Sequence, residues 1–263
     1  MFGWLGRQPQ PTAGAPRARG GGGAVSAEKF LDGRITVRQP EQGFRAGLDA
    51  VMLAAAVPEG VTALELGAGA GTASLCLAAR IASMVITGIE IDSDLVQLAN
   101  DNAAANGMQA RLRFAAANIF ALPLEFKREY DCVLINPPFH GEGRPSPDPG
   151  RARALMDEGT LGDWLQAGMK RVVSGGALTA ILRADRLNEA LAALPLTGVS
   201  ALPLWPKAGE PARRVLVQAR KGSGAAFCLL PGMVLHTSSG AYTLEADAIL
   251  RGQAALALGV PRL

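Results

Sequence analysis

Histidine and cysteine are scarce. The 263 residues hold two histidines, His140 and His236, and three cysteines, Cys76, Cys132 and Cys228. There is no CxxC pair and no cysteine–histidine pairing at zinc-ligand spacing. This argues against a structural zinc site and a disulfide framework, and fits a reducing, cytoplasmic compartment. Buried free cysteine behaves as a small hydrophobe, so core packing is the ordinary reading of Cys76 and Cys132. Long apolar runs are missing too. Ala50 to Val57 is among the longest, and Pro58 and Gly60 end it, well short of the roughly 18 residues of a membrane span. No apolar h-region of a signal peptide is present. A global basic surface is also absent. The net charge is +3, and residues 1–30 account for all of it through Arg7, Arg17, Arg19 and Lys29 against Glu28. The rest of the chain sums to zero, so any nucleic-acid surface must be local.

What remains is an ordinary soluble composition, 49% hydrophobic and 19% charged, enough to bury one sizeable core in one or at most two domains. Residues 1–24 are rich in Gly, Pro, Gln and Arg and cannot bury enough apolar surface to order themselves. The expectation is a flexible basic tail over 1–27, a solvated extension or a polyanion contact, ahead of one domain over 28–263.

From Thr62 the chain alternates β-branched runs with alanine-rich helical stretches. Strands are expected at 62–66, 84–89, 111–116, 131–135 and 177–182. Helices are expected at 72–81, 93–106, 161–173 (stopped by Gly175 and Gly176) and 187–194. This order argues for a layered α/β fold with a mainly parallel sheet. Later, 199–204, 214–219 and 225–230 are strand-like without long helices between them, which suggests antiparallel edge strands. A C-terminal helix is expected at 245–258.

Three constellations carry chemistry. The first closes a strand and opens a helix: Glu65, Leu66, Gly67, Ala68, Gly69, Ala70, Gly71. Glycines there allow a tight turn and close backbone approach by a ligand. The spacing is not that of the dinucleotide fingerprint, because Thr72 stands where its third glycine would be. An acidic Glu65 suits a cationic or amino-bearing ligand better than a pyrophosphate. Glu90 ends the next strand at the distance where an acid takes the ribose hydroxyls of a nucleoside. The second is Asn118 at the end of the third strand, a side chain able to accept from or donate to a base; a turn asparagine is the alternative. The third is Asn136, Pro137, Pro138 and Phe139 at the end of a buried strand. Two prolines fix φ and remove two donors. Carbonyls and the Asn136 side chain are then free to accept from a planar amino group, and Phe139 offers a stacking face. Asn136 cannot act as a base. The expected chemistry is positioning and preorganised acceptors, with no classical general base and no metal.

The glycine turn with Glu65 and Glu90 resembles the class I S-adenosylmethionine-dependent methyltransferases. Asn136–Phe139 resembles the NPP(Y/F) motif of members acting on planar nitrogens: adenine N6, guanine N2 and glutamine amide. The stretch Gln39 to Ala54, with Trp205, Lys207 and Arg213 to Val217, resembles bacterial tRNA adenine-N6 methyltransferases that modify the base beside the anticodon of a valine tRNA. The resemblance implies a Rossmann-like fold with a mainly parallel seven-stranded sheet, an antiparallel edge strand and helices on both faces. It implies S-adenosyl-L-methionine as cofactor, held by Glu65, Gly67, Gly69, Gly71, Glu90, Ile91, Asn118 and Ile119. Asp49 is added as a cofactor contact, with helix capping as the alternative. Two departures stand out: Asn118 replaces an acid and Phe139 replaces the commoner tyrosine.

The implied activity is methyl transfer to N6 of an adenine in tRNA. A protein glutamine-amide methyltransferase, an rRNA guanine-N2 or adenine-N6 enzyme, and a silent RNA-binding protein are the competing readings. Residues 203–221 carry a local charge of +4, and Arg144, Arg151 and Arg153 follow the NPPF turn. Phosphate contacts from these would suit tRNA, as a solvated loop would suit none. No membrane or metal partner is expected. Oligomeric state stays open, with a monomer as the working expectation.

Overall fold

The computed structural model describes residues 24–42, 45–138 and 159–259. It opens with an antiparallel hairpin, β1 (Val25–Phe30) and β2 (Ile35–Pro40). The sequence reading did not foresee this hairpin, and β1 starts inside the segment assigned to the tail. There follow α1 (Leu48–Ala56), β3 (Thr62–Leu66), α2 (Thr72–Arg80), β4 (Val85–Glu90), α3 (Ser93–Ala105), β5 (Leu112–Ala116) and β6 (Tyr130–Ile135). After the undescribed stretch come α4 (Leu161–Met169), β7 (Val172–Arg183), α5 (Leu187–Ala193), β8 (Val199–Trp205), β9 (Arg214–Arg220), β10 (Cys228–Leu229), β11 (Met233–Val234) and α6 (Leu244–Leu250).

The main sheet runs β10-β8-β9-β7-β6-β3-β4-β5, with β11 also on β8. Strands β5, β4, β3, β6 and β7 are mutually parallel, and β9 pairs antiparallel with both β7 and β8. Two expectations need correction. The sheet has nine strands among the described residues, because two-residue strands β10 and β11 cap the end of the seven-strand path. The antiparallel strand is also not at the edge. β9 is inserted between β7 and β8, and β10 and β11 run parallel to β8. Neither correction was readable from hydrophobic runs, which mark strands but not their neighbours.

Boundaries moved where glycine was over-read. Gly175 and Gly176 do not stop a helix; α4 ends at Met169 and both glycines lie inside β7. There the register between β6 and β7 shifts, as at a bulge. The final helix spans Leu244–Leu250 rather than 245–258.

Period-2 alternation sends each strand's side chains to two cores. On one face Ala63, Cys132 and Leu134 pack with α1, α2, α3, α6 and hairpin residues Leu31, Ile35 and Val37. On the other, Leu64, Leu66, Val133 and Ile135 pack with Trp164 and Leu165 of α4 and Ala190 of α5. Helix α1 is almost wholly buried, so its carboxyl-terminal carbonyls must find donors inside the protein. Arg80 donates to Ala54 O at 3.1 Å and to Val57 O, Leu256 N to Ala55 O at 2.8 Å, and Gln218 Nε2 to Ala56 O at 3.0 Å. All four are satisfied. The hairpin is docked by asparagines one turn apart on α3. Asn102 Oδ1 accepts from Arg38 N and its Nδ2 donates to Arg38 O, both at 2.9 Å. Asn106 does the same to Thr36 N and O, at 2.9 and 2.8 Å. These side-chain amides take the place of a further strand beside β2.

Candidate active site

Connections leave β3 toward β4 and β5 on one side, while β6 and β7 lie on the other. Strand order therefore reverses between β3 and β6, the place where open α/β sheets bind ligands. Register pairs Leu66 with Ile135. Gly67 and Asn136, the next residues, thus leave adjacent strands side by side at the carboxyl edge.

The glycine turn is built by steric necessity. Gly67, Gly69 and Gly71 sit at φ +73°, +53° and +84°. A Cβ on Gly67 would come within 2.8 Å of the Trp164 ring, and one on Gly71 within 2.6 Å of the Phe114 ring. A Cβ on Gly69 would meet nothing within 4 Å among the described residues. The outer two glycines accommodate packing, and the middle one faces open space. Gly67 N and Ala68 N donate to Ile89 O at 2.8 and 3.0 Å, tying the turn to β4.

Glu90 faces this turn from the end of β4. Its Oε2 accepts from Gly69 N at 2.9 Å, and Oε1 accepts from Ile91 N and Asp92 N at 2.8 and 3.1 Å. A carboxylate has about four lone-pair sites, so capacity for hydroxyl donors remains. Ile91 beside it is 57% exposed, an apolar face at the mouth of the site. Asn118 caps a 3-10 turn, Ile119–Ala121, by accepting from Phe120 N at 2.8 Å through Oδ1. Ile119 is buried in the second core.

Glu65 lies beneath the turn, not in its mouth. It is buried, and Oε2 accepts from Ser74 N at 3.1 Å and from Ser74 Oγ. Burial pushes its carboxyl up to about 8, opposed by the Ser74 hydrogen bonds and aided slightly by the Glu90 charge. These bonds tie the end of β3 to the first turn of α2, across the glycine turn. Asp49 pairs with Arg214 at 2.8 Å. It does not cap α1, whose cap Gly47 has no side-chain bond. Phe139, His140, Arg144, Arg151 and Arg153 lie outside the described residues.

Asn136 Oδ1 is an orphan of this edge. It is shut off from solvent and has no hydrogen-bond partner among the described residues. Thr72 Oγ1, which opens α2 directly after Gly71, shares that state, as do Thr87 Oγ1 and Tyr130 Oη deeper in the sheet. Sequence reasoning missed Thr72. It also missed Trp164, whose ring backs Gly67 and meets Phe120 edge-on at 6.0 Å. Beyond Phe120 a cavity of about 360 Å³ opens between the 3-10 turn and α4, and Lys127, Lys170 and Arg171 line it. Among the described residues no group of acids, histidines and cysteines is arranged to hold a metal ion.

The reversal of strand order, the inserted antiparallel β9, the glycine turn and Glu90 together define a class I methyltransferase, an enzyme that uses S-adenosylmethionine. The residues present fit that cofactor: an open Gly69, an acid with a spare acceptor site, an exposed apolar Ile91 and two buried oxygens at the same edge without partners among the described residues. Residues 47–155 match the family model described as "Methyltransferase small domain". The tRNA1(Val) (adenine(37)-N6)-methyltransferase of Aeromonas salmonicida is 30% identical over 225 residues, covering 81% of this chain and 92% of that one. The same-named protein of Porphyromonas gingivalis is 28% identical over 232 residues, covering 81% and 89%. A crystal structure of a predicted O-methyltransferase from Agrobacterium tumefaciens superposes with a TM-score of 0.68 at 27% identity, covering 81% of this chain and 100% of that one. The chain belongs to the methyltransferase family of these tRNA1(Val) (adenine(37)-N6) enzymes.

Proposed function

We propose that the chain transfers a methyl group to the exocyclic N6 of an adenine in tRNA, the acceptor carried in the names of its Aeromonas and Porphyromonas relatives. One observation carries the reading: Asn136 Oδ1 is buried, unpartnered and adjacent to the glycine turn. A buried acceptor without a donor costs about 1–3 kcal/mol. An incoming N–H relieves that cost, so the acceptor is preorganised for an amino group.

When bound, S-adenosylmethionine supplies an electrophilic methyl group. The chain supplies geometry. Asn136 Oδ1 and the Pro137 carbonyl accept the two N–H bonds of the exocyclic amine, which turns the nitrogen lone pair out of ring conjugation. Pro137 and Pro138 bring no backbone N–H to compete for those acceptors. The base stacks on Phe139 in this reading, where phenylalanine keeps the ring and lacks the commoner hydroxyl. Held this way the nitrogen would present its lone pair to the methyl group, and the amine, made acidic by methylation, would lose a proton to water. No general base is needed. A tRNA substrate puts the work in the cytoplasm.

The test is transfer of a labelled methyl group from S-adenosylmethionine to unmodified bulk tRNA and, separately, to cytosolic protein, followed by digestion. N6-methyladenosine in tRNA is the expected product. Label confined to protein glutamine, or cofactor binding with no transfer to either pool, overturns the tRNA reading.

A further inference from the structure

Beyond the methyl-transfer centre, the carboxyl edge carries a second aromatic feature. Between β11 and α6 the chain makes a tight hairpin in which His236 and Tyr242 bridge antiparallel and their rings stack, with centroids 4.7 Å apart at 28°. The hairpin is held rigidly. His236 N and Nδ1 donate to Pro206 O at 3.0 and 3.2 Å, Thr237 N donates to Ala241 O at 2.8 Å, and Thr243 Oγ1 donates to Val234 O at 2.8 Å. Tyr242 nonetheless keeps 43% of its surface in solvent. An aromatic ring fixed from behind and open in front is a stacking surface.

Two cations lie on the neighbouring loop between β8 and β9. Lys207 follows Pro206, the residue that anchors His236, and Arg213 is exposed at the foot of β9. Neither side chain has an ion-pair partner among the described residues, and Glu210 is the acid of the same loop. Interleaved aromatic and basic groups suit single-stranded nucleic acid, where bases stack and phosphates pair with cations.

The location agrees. Leu204 pairs with Arg214, Arg214 with Arg183, and Ala180 with Ile135. Trp205 therefore rises above the same sheet edge as Asn136, three strand spacings away, and the hairpin that continues β11 lies one spacing further out. At about 4.8 Å per strand and 3.3 Å per residue, that puts the hairpin about 25 Å from Asn136, a distance several nucleotides of extended RNA can span.

We propose that Tyr242, backed by His236 and flanked by Lys207 and Arg213, is a second contact for RNA. An unpaired base flanking the target stacks on Tyr242 while its phosphates meet the two cations. This deepens the tRNA reading and rests on it for the identity of the target base. The probe is a fluorescein-labelled RNA hairpin with a single-stranded, adenine-containing loop, titrated with full-length protein. Tyr242→Ala should weaken binding about 5- to 100-fold, and Tyr242→Phe, which keeps the ring, should restore it. Lys207→Gln and Arg213→Gln should each flatten the salt dependence by about one unit of slope. A thermal midpoint near wild type for Tyr242→Ala confirms that the fold is kept. Unchanged affinity in Tyr242→Ala, or no binding of the hairpin by the wild-type protein, overturns the platform. The two readings separate cleanly. N6-methyladenosine formed by a Tyr242→Ala protein of normal affinity removes the platform alone. Tyr242-dependent binding without transfer to tRNA keeps the platform and removes the methylation reading.

Discussion

Replacing Gly71 or Gly69 by alanine should have different consequences, although the two sit in one turn. At Gly71 φ is +84° and an added Cβ lies 2.6 Å from the Phe114 ring. Left-handed backbone costs a non-glycine residue about 1–2 kcal/mol, and overpacking a buried ring adds about 1–3 kcal/mol. Gly71→Ala should thus lose about 2–5 kcal/mol, a large share of a typical total stability of about 5–15 kcal/mol. In thermal unfolding that is a fall of about 5–15 °C. At Gly69 φ is +53° and no described atom lies within 4 Å of the added carbon. Only the backbone cost of about 1–2 kcal/mol applies to folding. The methyl instead narrows the space beside Glu90, and cofactor affinity should drop about 5- to 100-fold. Differential scanning calorimetry and titration with S-adenosylmethionine read the two effects separately. Equal destabilisation by both variants, or unchanged cofactor affinity in Gly69→Ala, would refute the division of labour within the turn.

Three further outcomes follow from the same geometry. Because burial lifts Glu65 to about 8 from an ordinary value near 4.5, folding takes up a proton between those values. Its contribution to stability is full below about pH 4.5 and erodes through pH 8, by up to about 1.4 kcal/mol per pH unit. Glu65→Gln, uncharged throughout, should flatten that slope in thermal melts and exceed wild-type stability at pH 9; an unchanged slope would exclude Glu65 as its source. Asn102→Ala strips partners from Arg38 N, Arg38 O and Ala70 O and should cost about 2–4 kcal/mol. Amide exchange should quicken first in β2, whereas uniform quickening would argue against hairpin docking by α3. Asp49→Asn removes the partly buried pair with Arg214 and should cost about 1 kcal/mol. Cofactor affinity should hold, and its loss would return Asp49 to the set of direct contacts.

The parallel half of the fold was legible in the chain because each strand there is a β-branched run followed by an amphipathic or alanine-rich helix. The expected strand 62–66 coincides with β3, and the expected helix 93–106 differs from α3 by one residue at its end. Pairing was not legible. β9 enters between β7 and β8 because tertiary neighbours, not local pattern, choose the register. The hairpin before α1 escaped notice because β1 is only half-buried along its length. It depends on two asparagines more than sixty residues away, and local pattern does not record such a contact.

Site residues divided along the same line. Glycine spacing and the Asn-Pro-Pro run act through backbone geometry, which sequence encodes locally, so Gly67, Gly69, Glu90 and Asn136 converge on one edge. Glu65 is buried and bonded to Ser74 through one carboxylate oxygen, an environment that the sequence pattern does not record. Trp164 and Thr72 gave no sequence signal at all. One is an ordinary core aromatic until the fold sets it against Gly67, and the other an ordinary helix opener.

In the proposed mechanism the Asn136 side chain is an acceptor waiting for the substrate's amino group. The direct measurement is single-turnover methyl transfer to unmodified tRNA by Asn136→Ala, beside calorimetric titration with S-adenosylmethionine. Loss of at least about 100-fold in rate, with cofactor affinity within about twofold of wild type, is the predicted result. Transfer at the wild-type rate would contradict it.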